Sequence, residues 1–279
     1  MVAGRLGRLL AGALVAVCVP LIGPAAPAGD LVARPLPAEA VREVVPHRVM
    51  TWNLCNPCGA RNADRAREIA TYAPQVVGLQ EACVGDVERI RHYLRAYYGL
   101  DYHVAYGPVL GSRGRCGGTP WAPGGYGQAV LSAAPMTDRV SAEYPDGGSE
   151  DRGYLAVTTR VGDRPVRVFV THLAQRRQES VRAGQADVLA AAIGEHDRAV
   201  VLGDFNAVPA APELAPLWSV AGGADARCRP TSPGADCPTT TDWRSRFDYV
   251  FLRGLTAHGE RVRPTPHSDH DLLYADLDG

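Results

Sequence analysis

The chain has 279 residues, 46% of them hydrophobic and 21% charged, which reads as an ordinary globular protein able to bury a sizeable core. All 29 of its basic residues are arginines, and the absence of lysine excludes a Walker-type phosphate loop, which needs a Gly-Lys pair. A formal net charge of −1 gives no strong pull toward nucleic acid, although a local arginine stripe would suffice for that.

The N-terminus has the form of a targeting segment. Arg5 and Arg8 precede an apolar stretch from Leu9 to Ile22, too short to span a membrane comfortably, and Ala26-Pro27-Ala28 offers a small-x-small cleavage site. Residues 1–28 are therefore expected to be a signal peptide, with an uncleaved anchor as the alternative. Its removal leaves 27 basic against 30 acidic residues. No later apolar run is long enough for a membrane helix, so a secreted chain with no stable membrane anchor is expected, and a monomer. Cys55, Cys58, Cys83, Cys116, Cys228 and Cys237 remain after residue 28, an even set that suits disulfides in an exported chain. Proximity favours Cys55–Cys58 and Cys228–Cys237, leaving Cys83–Cys116. The rival reading of Cys55-Asn56-Pro57-Cys58 is a redox or zinc motif, for which no second close Cys or His pair is present.

Residues 29–46 are rich in Pro and Ala and read as a linker into a single domain spanning 47–279. A strand is expected from Arg48 to Leu54, a helix from Asn62 to Tyr72 ended by Pro74, a short buried strand from Gln75 to Gln80, and an amphipathic helix from Asp86 to Tyr98. Residues 107–127 are Gly/Pro-rich and read as a long loop. Strands follow at Ala129–Ser132, Tyr154–Val161 and Val166–His172, the last two joined as a hairpin by residues 162–165. Ser180–Glu195 has a helical apolar stripe. Ala199–Leu202, Phe247–Leu252 and Leu272–Leu277 read as strands, with 209–245 mostly loop. Hairpins together with strands separated by helices suggest a mixed sheet system with helices outside it.

Acids, amides and histidines sit at or just beyond the strand ends: Asn53, Glu81, His172, Asp204, Asn206, Asp248, Asp269 and His270. Loops on a rigid scaffold are where chemistry usually sits. Carboxylates and amides are hard oxygen donors that suit Mg²⁺ or Ca²⁺ (Mn²⁺ is a related choice), not zinc. Phosphate-ester hydrolysis needs a nucleophilic water, a cation for the phosphoryl oxygens and donors for developing charge, and this set could supply all three.

Thr51-Trp52-Asn53-Leu54, Leu79-Gln80-Glu81, Thr171-His172-Leu173, Gly203-Asp204-Phe205-Asn206, Phe247-Asp248-Tyr249-Val250 and Ser268-Asp269-His270 resemble, in order, the successive motifs of the endonuclease/exonuclease/phosphatase superfamily, to which deoxyribonuclease I belongs. Each tripeptide alone is weak; six in order make chance a poor explanation. The resemblance implies an α/β fold, a four-layer α/β/β/α sandwich of two mixed sheets flanked by helices, with the site between the sheets' edges. It implies that Glu81 binds the metal with Asn53 and Asp269 nearby or through water. Asp204 would orient or deprotonate the attacking water, and Asn206 would hold that water or a phosphate oxygen. His270, oriented by Asp248, would stabilise the phosphoryl group, and His172 would contact it from the other side. Tyr126 and, more weakly, Arg152 are expected to contact substrate phosphate. Arg182 and Gln185 resemble a helix pattern of the family and read as structural supports. The lysine that repair-type members carry shortly after the glutamate is missing here, where Ala82-Cys83 follows Glu81, and this argues against abasic-site repair.

The resulting expectation is a secreted metal-dependent phosphoesterase that hydrolyses phosphodiesters, leaning to nucleic acid or another soluble diester. A sphingomyelinase-type phospholipase, a phosphomonoesterase on an inositol or small phosphate, and a non-catalytic binding protein are the alternatives. Arg113, Arg115, Arg152, Arg176, Arg177, Arg244 and Arg246 lie in loops from which a nucleic-acid enzyme could draw contacts. No paired aromatic hairpin of the kind a lipid hydrolase would use is evident, and Trp121 is expected to tuck under its own loop.

Overall fold

The computed structural model describes residues 41–175, 177–231 and 236–279. The expected signal peptide and most of the expected linker lie outside the described residues. The first strand begins at Val45, inside the segment read as linker.

In chain order the principal elements are β1 (Val45–Asn53), α1 (Asn62–Tyr72), β2 (Pro74–Cys83), α2 (Val84–Tyr98), β3 (His103–Gly111), β4 (Gly125–Ser132), β5 (Thr137–Glu143), β6 (Gly153–Val161), β7 (Arg164–His172), α3 (Glu179–Gly194), β8 (Ala199–Asp204), α4 (Ala215–Val220), β9 (Asp248–Arg253), β10 (Ala257–Arg263) and β11 (Leu272–Leu277). They form two six-stranded sheets. One has the order β10-β11-β1-β2-β4-β3; the other runs β9-β8-β7-β6-β5, with the two-residue strand Gly222–Gly223 on the outer side of β9.

Each sheet holds one parallel pair, β1 with β2 and β7 with β8, and the other principal pairings are antiparallel. A parallel pair needs a crossover, and helices supply it: α1 lies between β1 and β2 in the chain, α3 between β7 and β8. The β6–β7 hairpin is tighter than the sequence suggests. Val161 pairs with Arg164, so the turn is Gly162-Asp163, and Gly162 takes the positive φ (57°) that such a turn favours.

Strand side chains alternate between two faces, and most of the buried residues sort accordingly into three large clusters, with a small fourth around Cys83, Val109 and Tyr126. On the outer face of the first sheet, Met50, Trp52, Val77 and Leu79 pack with Ile69 of α1 and Ile90 and Leu94 of α2. On the outer face of the second, Phe169, Val201 and Phe251 pack with Ala186, Leu189 and Ile193 of α3. Between the sheets lie Val49, Val76, Val130, Val168, Val170, Val200, Leu202, Val250 and Leu273. The result is a four-layer α/β/β/α sandwich. Gly78 sets the closeness of the two sheets: a Cβ there would stand 2.8 Å from Val170 Cγ2 and 2.9 Å from Leu202 Cβ.

The structure closes Cys55–Cys58, Cys83–Cys116 and Cys228–Cys237 as disulfides. Cys55 and Cys58 are thus bonded to each other and, as a disulfide, offer no thiolate pair for zinc. Among the described residues no helix is long and apolar enough to cross a membrane.

Gly78→Val would force side-chain volume into the inter-sheet layer on both sides. It is expected to lower unfolding stability by roughly 1–3 kcal/mol in denaturant titration. An unchanged midpoint would contradict the close approach.

Candidate active site

The alternation that builds the core also builds the site. On β7, β8 and β9 the even-numbered residues face inward: Val168 and Val170, Val200 and Leu202, Val250 and Leu252. The same parity carries His172, Asp204 and Asp248 onto the inter-sheet face. Register aligns them into one row, with Asp204 opposite His172 on one side and Asp248 on the other. On β1 and β2, Val49 and Val76 face inward, and their parity brings in Asn53 and Gln80, which are paired with each other.

Glu81 has the opposite parity to Gln80. A register shift between Leu79 and Ala82, with Glu81 at φ 52°, turns its side chain toward the cleft. Seven non-glycine residues have positive φ among the described residues, and Cys55, Glu81, Asn206 and Arg244 are four of them. All four line the cleft or its border. Each costs on the order of 1–2 kcal/mol, which the surrounding bonds hold in place, and such residues cluster at working sites.

The cleft has a volume of about 760 Å³, and Glu81, His172, Asp204, Asn206, Asp269 and His270 all line it. Asp204 is its electrostatic centre. Its Oδ2 accepts from Asn53 Nδ2 (3.1 Å) and lies 3.2 Å from His172 Nε2 and 3.6 Å from His270 Nε2; its Oδ1 accepts from the Asn206 amide N–H (2.9 Å). Complete burial would raise its pKa, but His270, His172 and the amide outweigh this and hold it well below the usual carboxylate range. Asp204 is therefore an ionised acceptor, suited to orienting a water more than to keeping its proton.

His270 Nδ1 lies 2.9 Å from Asp248 Oδ2, and Thr240 Oγ1 donates to the same oxygen at 2.6 Å. Burial alone would lower the imidazole's pKa; the Asp248 and Asp204 carboxylates reverse this and raise it to about 10. His270 is thus an imidazolium at neutral pH, a donor suited to phosphoryl oxygens. Ser268 Oγ donates to the Asn53 carbonyl (2.7 Å) and accepts from the His270 amide (3.0 Å), tying the segment that carries His270 to the end of β1. Trp52 Nε1 donates to the His270 carbonyl at 3.1 Å.

Asn53 Nδ2 also reaches Glu81 Oε1 (3.3 Å), and the Asn56 amide donates to Glu81 Oε2 (3.3 Å). Asn53 Oδ1 accepts from the Cys55 amide (3.0 Å). The disulfide-closed loop Cys55–Cys58 therefore holds both residues. Asp269 lies on the same cleft. Burial raises its pKa; His270 opposes this, and Glu81 adds to it. Two partly exposed carboxylates on one cleft, Glu81 and Asp269, with the Asn53 amide beside Glu81, are hard donors of the kind that suits a divalent cation. Glu81, with Asn53 and Asp269, would hold the ion, which would neutralise the phosphoryl oxygens as a Lewis acid.

Two expected residues sit elsewhere than the sequence suggests. Arg152 is 3% exposed and stands behind His172, with Nη1 2.8 Å from Nδ1 of the ring and 3.1 Å from Glu150 Oε1. A guanidinium has only donors, so His172 Nδ1 accepts from Arg152, and Nε2 is the ring nitrogen turned toward Asp204 and Asn206. Arg152 thus backs the His172 ring and does not line the cleft. Tyr126 is 2% exposed, packed with Cys83 and Val109 beneath Arg115, and does not line the cleft. Burial explains both corrections, since sequence places these residues along the chain but gives no depth. Asn206 Nδ2 is 3.0 Å from His172 Nε2 and donates to the Leu173 carbonyl (3.1 Å). Arg182 and Gln185 are supports, as expected. Arg182 donates to Glu213 and the Ala174 carbonyl, and Gln185 accepts from the Ala174 amide, bracing the segment after His172.

Sequence reasoning passed over Thr240, Ser268, Asn56 and Trp243. Ser268 stands inside a recognised motif, so it was within reach. Thr240 and Trp243 lie in a stretch read as loop, where no periodicity marks them. Trp121 does not tuck under its loop but is 85% exposed, on the small hairpin that pairs Thr119 with Ala122. Of the seven candidate arginines, Arg246 is buried against Glu260, Arg115 pairs with Glu150, and Arg176 lies outside the described residues.

The chain belongs to the Endonuclease/Exonuclease/phosphatase family, whose model matches residues 50–270. It is a hydrolase of the metal-dependent phosphoesterase type that defines that family. No curated protein sequence matches it. Solved structures share the fold. One is an endonuclease/exonuclease/phosphatase from Beutenbergia cavernae, with TM-score 0.63 and 24% identity, covering 82% of this chain and 70% of that one. Another is D. rerio TDP2 complexed with single-strand DNA product (0.65, 19%, covering 83% and 98%). A third is the human Nocturnin catalytic domain with bound sulfate (0.58, 22%, covering 85% and 96%).

Asp248→Asn keeps the hydrogen bond geometry but removes the charge that holds His270 protonated. It is expected to lower kcat on a phosphodiester by roughly 10²-fold, with unfolding little changed. A rate within twofold of the parent chain would rule out the His270–Asp248 pair as part of the machinery.

Proposed function

We propose that this chain is a secreted, divalent-metal-dependent phosphodiesterase, with nucleic acid as the favoured class of substrate. The observation that carries the reading is the single inter-sheet row His172–Asp204–Asp248, capped by His270 and facing Asn53, Glu81 and Asp269 across one cleft. An ionised carboxylate orients water, an imidazolium donates to the phosphoryl group, and a hard-oxygen set holds a cation, with Mg²⁺ preferred and Ca²⁺ or Mn²⁺ as alternatives. Three disulfides in one chain support export, since such bonds persist in oxidising compartments. The single-strand DNA product in the D. rerio structure supports the substrate class.

One observation favours a second reading. Trp121 at the tip of an exposed hairpin is the kind of apolar anchor a lipid-surface enzyme would present, which points to a sphingomyelinase-type hydrolase.

The test is hydrolysis with Mg²⁺, with Ca²⁺ and with EDTA, on DNA, RNA, sphingomyelin vesicles, inositol phosphates and a generic diester. Diester cleavage that EDTA abolishes is the expected outcome, with Glu81→Ala lowering kcat/KM by at least about 10²-fold while the thermal unfolding profile stays intact. Monoester cleavage alone would overturn the diesterase reading, as would substantial turnover by Glu81→Ala for the metal role. Cleavage confined to sphingomyelin would establish the second reading.

A further inference from the structure

Beside the cleft lies a second cavity of about 290 Å³, lined by Arg227, Arg229, Arg244 and Arg246 together with Val208, Pro209, Ala210, Cys237, Thr239 and Ser245. Val208, 45% exposed, lines both cavities, so the two are contiguous across a single side chain. The chain as a whole is slightly acidic, and the concentration of four arginines here does not follow from its overall charge. Arg227 pairs with Asp225 and Arg246 with Glu260. Among the described residues Arg229 and Arg244 have no ion-pair partner and are exposed, so they give the cavity its positive charge. Arg246 is 4% exposed, and its Nε has no hydrogen-bond partner. The exposed, unpaired guanidinium groups of Arg229 and Arg244 are the ones that can receive an anion there.

The same turn builds both cavities. The Thr240 amide donates to the Ser245 carbonyl, the Arg244 amide to the Thr241 carbonyl (2.9 Å), and the Ser245 amide to Thr241 Oγ1 (2.9 Å). Thr240 Oγ1 holds Asp248, and Thr241 bridges to His270. From this turn Trp243 stands edge-on to the His270 ring, centroids 5.4 Å apart, 49% exposed and on the cleft wall. Its neighbour Arg244, held at φ 62°, lines the arginine cavity instead. The order in space is phosphoryl site, exposed indole, basic cavity. A nucleic-acid strand can follow that order, since successive phosphates are joined through a sugar that carries its base to the side.

We infer that the arginine cavity binds the phosphate adjacent to the scissile one on a single nucleic-acid strand, with the intervening base against Trp243. The inference rests on the diesterase reading above and adds to it a substrate with at least two phosphates and a base between them. Arg229 and Arg244 supply the charge-assisted contacts, and the indole supplies a face that any base can stack on, so little sequence preference is expected.

The test compares a single-stranded DNA oligonucleotide with bis(p-nitrophenyl) phosphate, both with Mg²⁺, on the full chain. The double variant Arg229→Ala/Arg244→Ala is expected to lower the ratio of kcat/KM for the oligonucleotide to that for the small diester about tenfold. It should also flatten the salt dependence of oligonucleotide cleavage by about 0.7 in log–log slope, the share of one phosphate on a single strand. Arg229→Lys/Arg244→Lys should recover most of the ratio, which a merely structural role would not predict. Independently of any variant, the parent chain should cleave a substrate with two nucleotide phosphates about tenfold better in kcat/KM than one with a single phosphate. An unchanged ratio in the alanine variant, no gain from the second phosphate, or a parent chain that cleaves the small diester but not the oligonucleotide would each overturn the inference while leaving the diesterase reading standing. A parent chain that cleaves neither would overturn both.

Discussion

Val170 and Leu202 of one sheet meet Gly78 of the other at a distance that admits no side chain, and the rest of the molecule is arranged around that contact. Bringing two twisted sheets so close buries an apolar layer of valines and leucines between them. The same strands continue past the layer to their ends, and their alternation does not stop where the apolar residues do. His172 and Asp204 are the next inward positions after Val170 and Leu202, Asp248 is the one before Val250 in its antiparallel strand, and Asn53 and Gln80 are the equivalent positions opposite. The site is the polar end of the core. Its residues are positioned by ladder hydrogen bonds and packing, more rigidly than loops alone could hold them.

Placing several charges in that setting is costly unless each has a partner. The partners form a chain: Arg152 to His172, His172 to Asp204, Asp204 to His270, and His270 to Asp248, which Thr240 caps. Opposite charges alternate or face one another along most of it. The arrangement keeps Asp204 ionised and His270 protonated at neutral pH, the two states that an acceptor for water and a donor for a phosphoryl oxygen require. Glu81 and Asp269 lie outside this compensation. They are the carboxylates with most to gain from a cation, which is the electrostatic reason for assigning the metal to them.

Much of this was legible in the sequence, and the gaps have one physical origin. Strands flanked on both faces by packing carry continuous apolar runs, and these were readable: Gln75–Gln80, Val166–His172, Ala199–Leu202 and Leu272–Leu277. The three principal strands that were not read, β3, β5 and β10, are all at sheet edges. Edge strands such as Thr137–Glu143 are largely solvent-exposed, and β3 contains Gly107, Pro108 and Gly111, so neither period nor composition announces them. Motif residues at strand ends were recoverable because the strands point at them. Depth was not recoverable. Arg152 and Tyr126 stand in the right segments, but their burial behind the cleft follows from packing that only three dimensions reveal. The bulge at Glu81 and the turn from Thr240 to Ser245 depend on backbone dihedrals that no side-chain pattern encodes.

The most direct test of the central claim is crystallographic. A crystal of the protein soaked in Mn²⁺ and measured near the manganese absorption edge should show an anomalous difference peak against the Glu81 carboxylate, on the side facing Asp269. The same soak of Glu81→Ala should lose that peak while the His172–Asp204–His270 row stays in place. A peak at some other group, or none in the cleft at full occupancy of the soak, would contradict the assignment of the hard-oxygen set as a metal centre and with it the metal-dependent chemistry built on the fold.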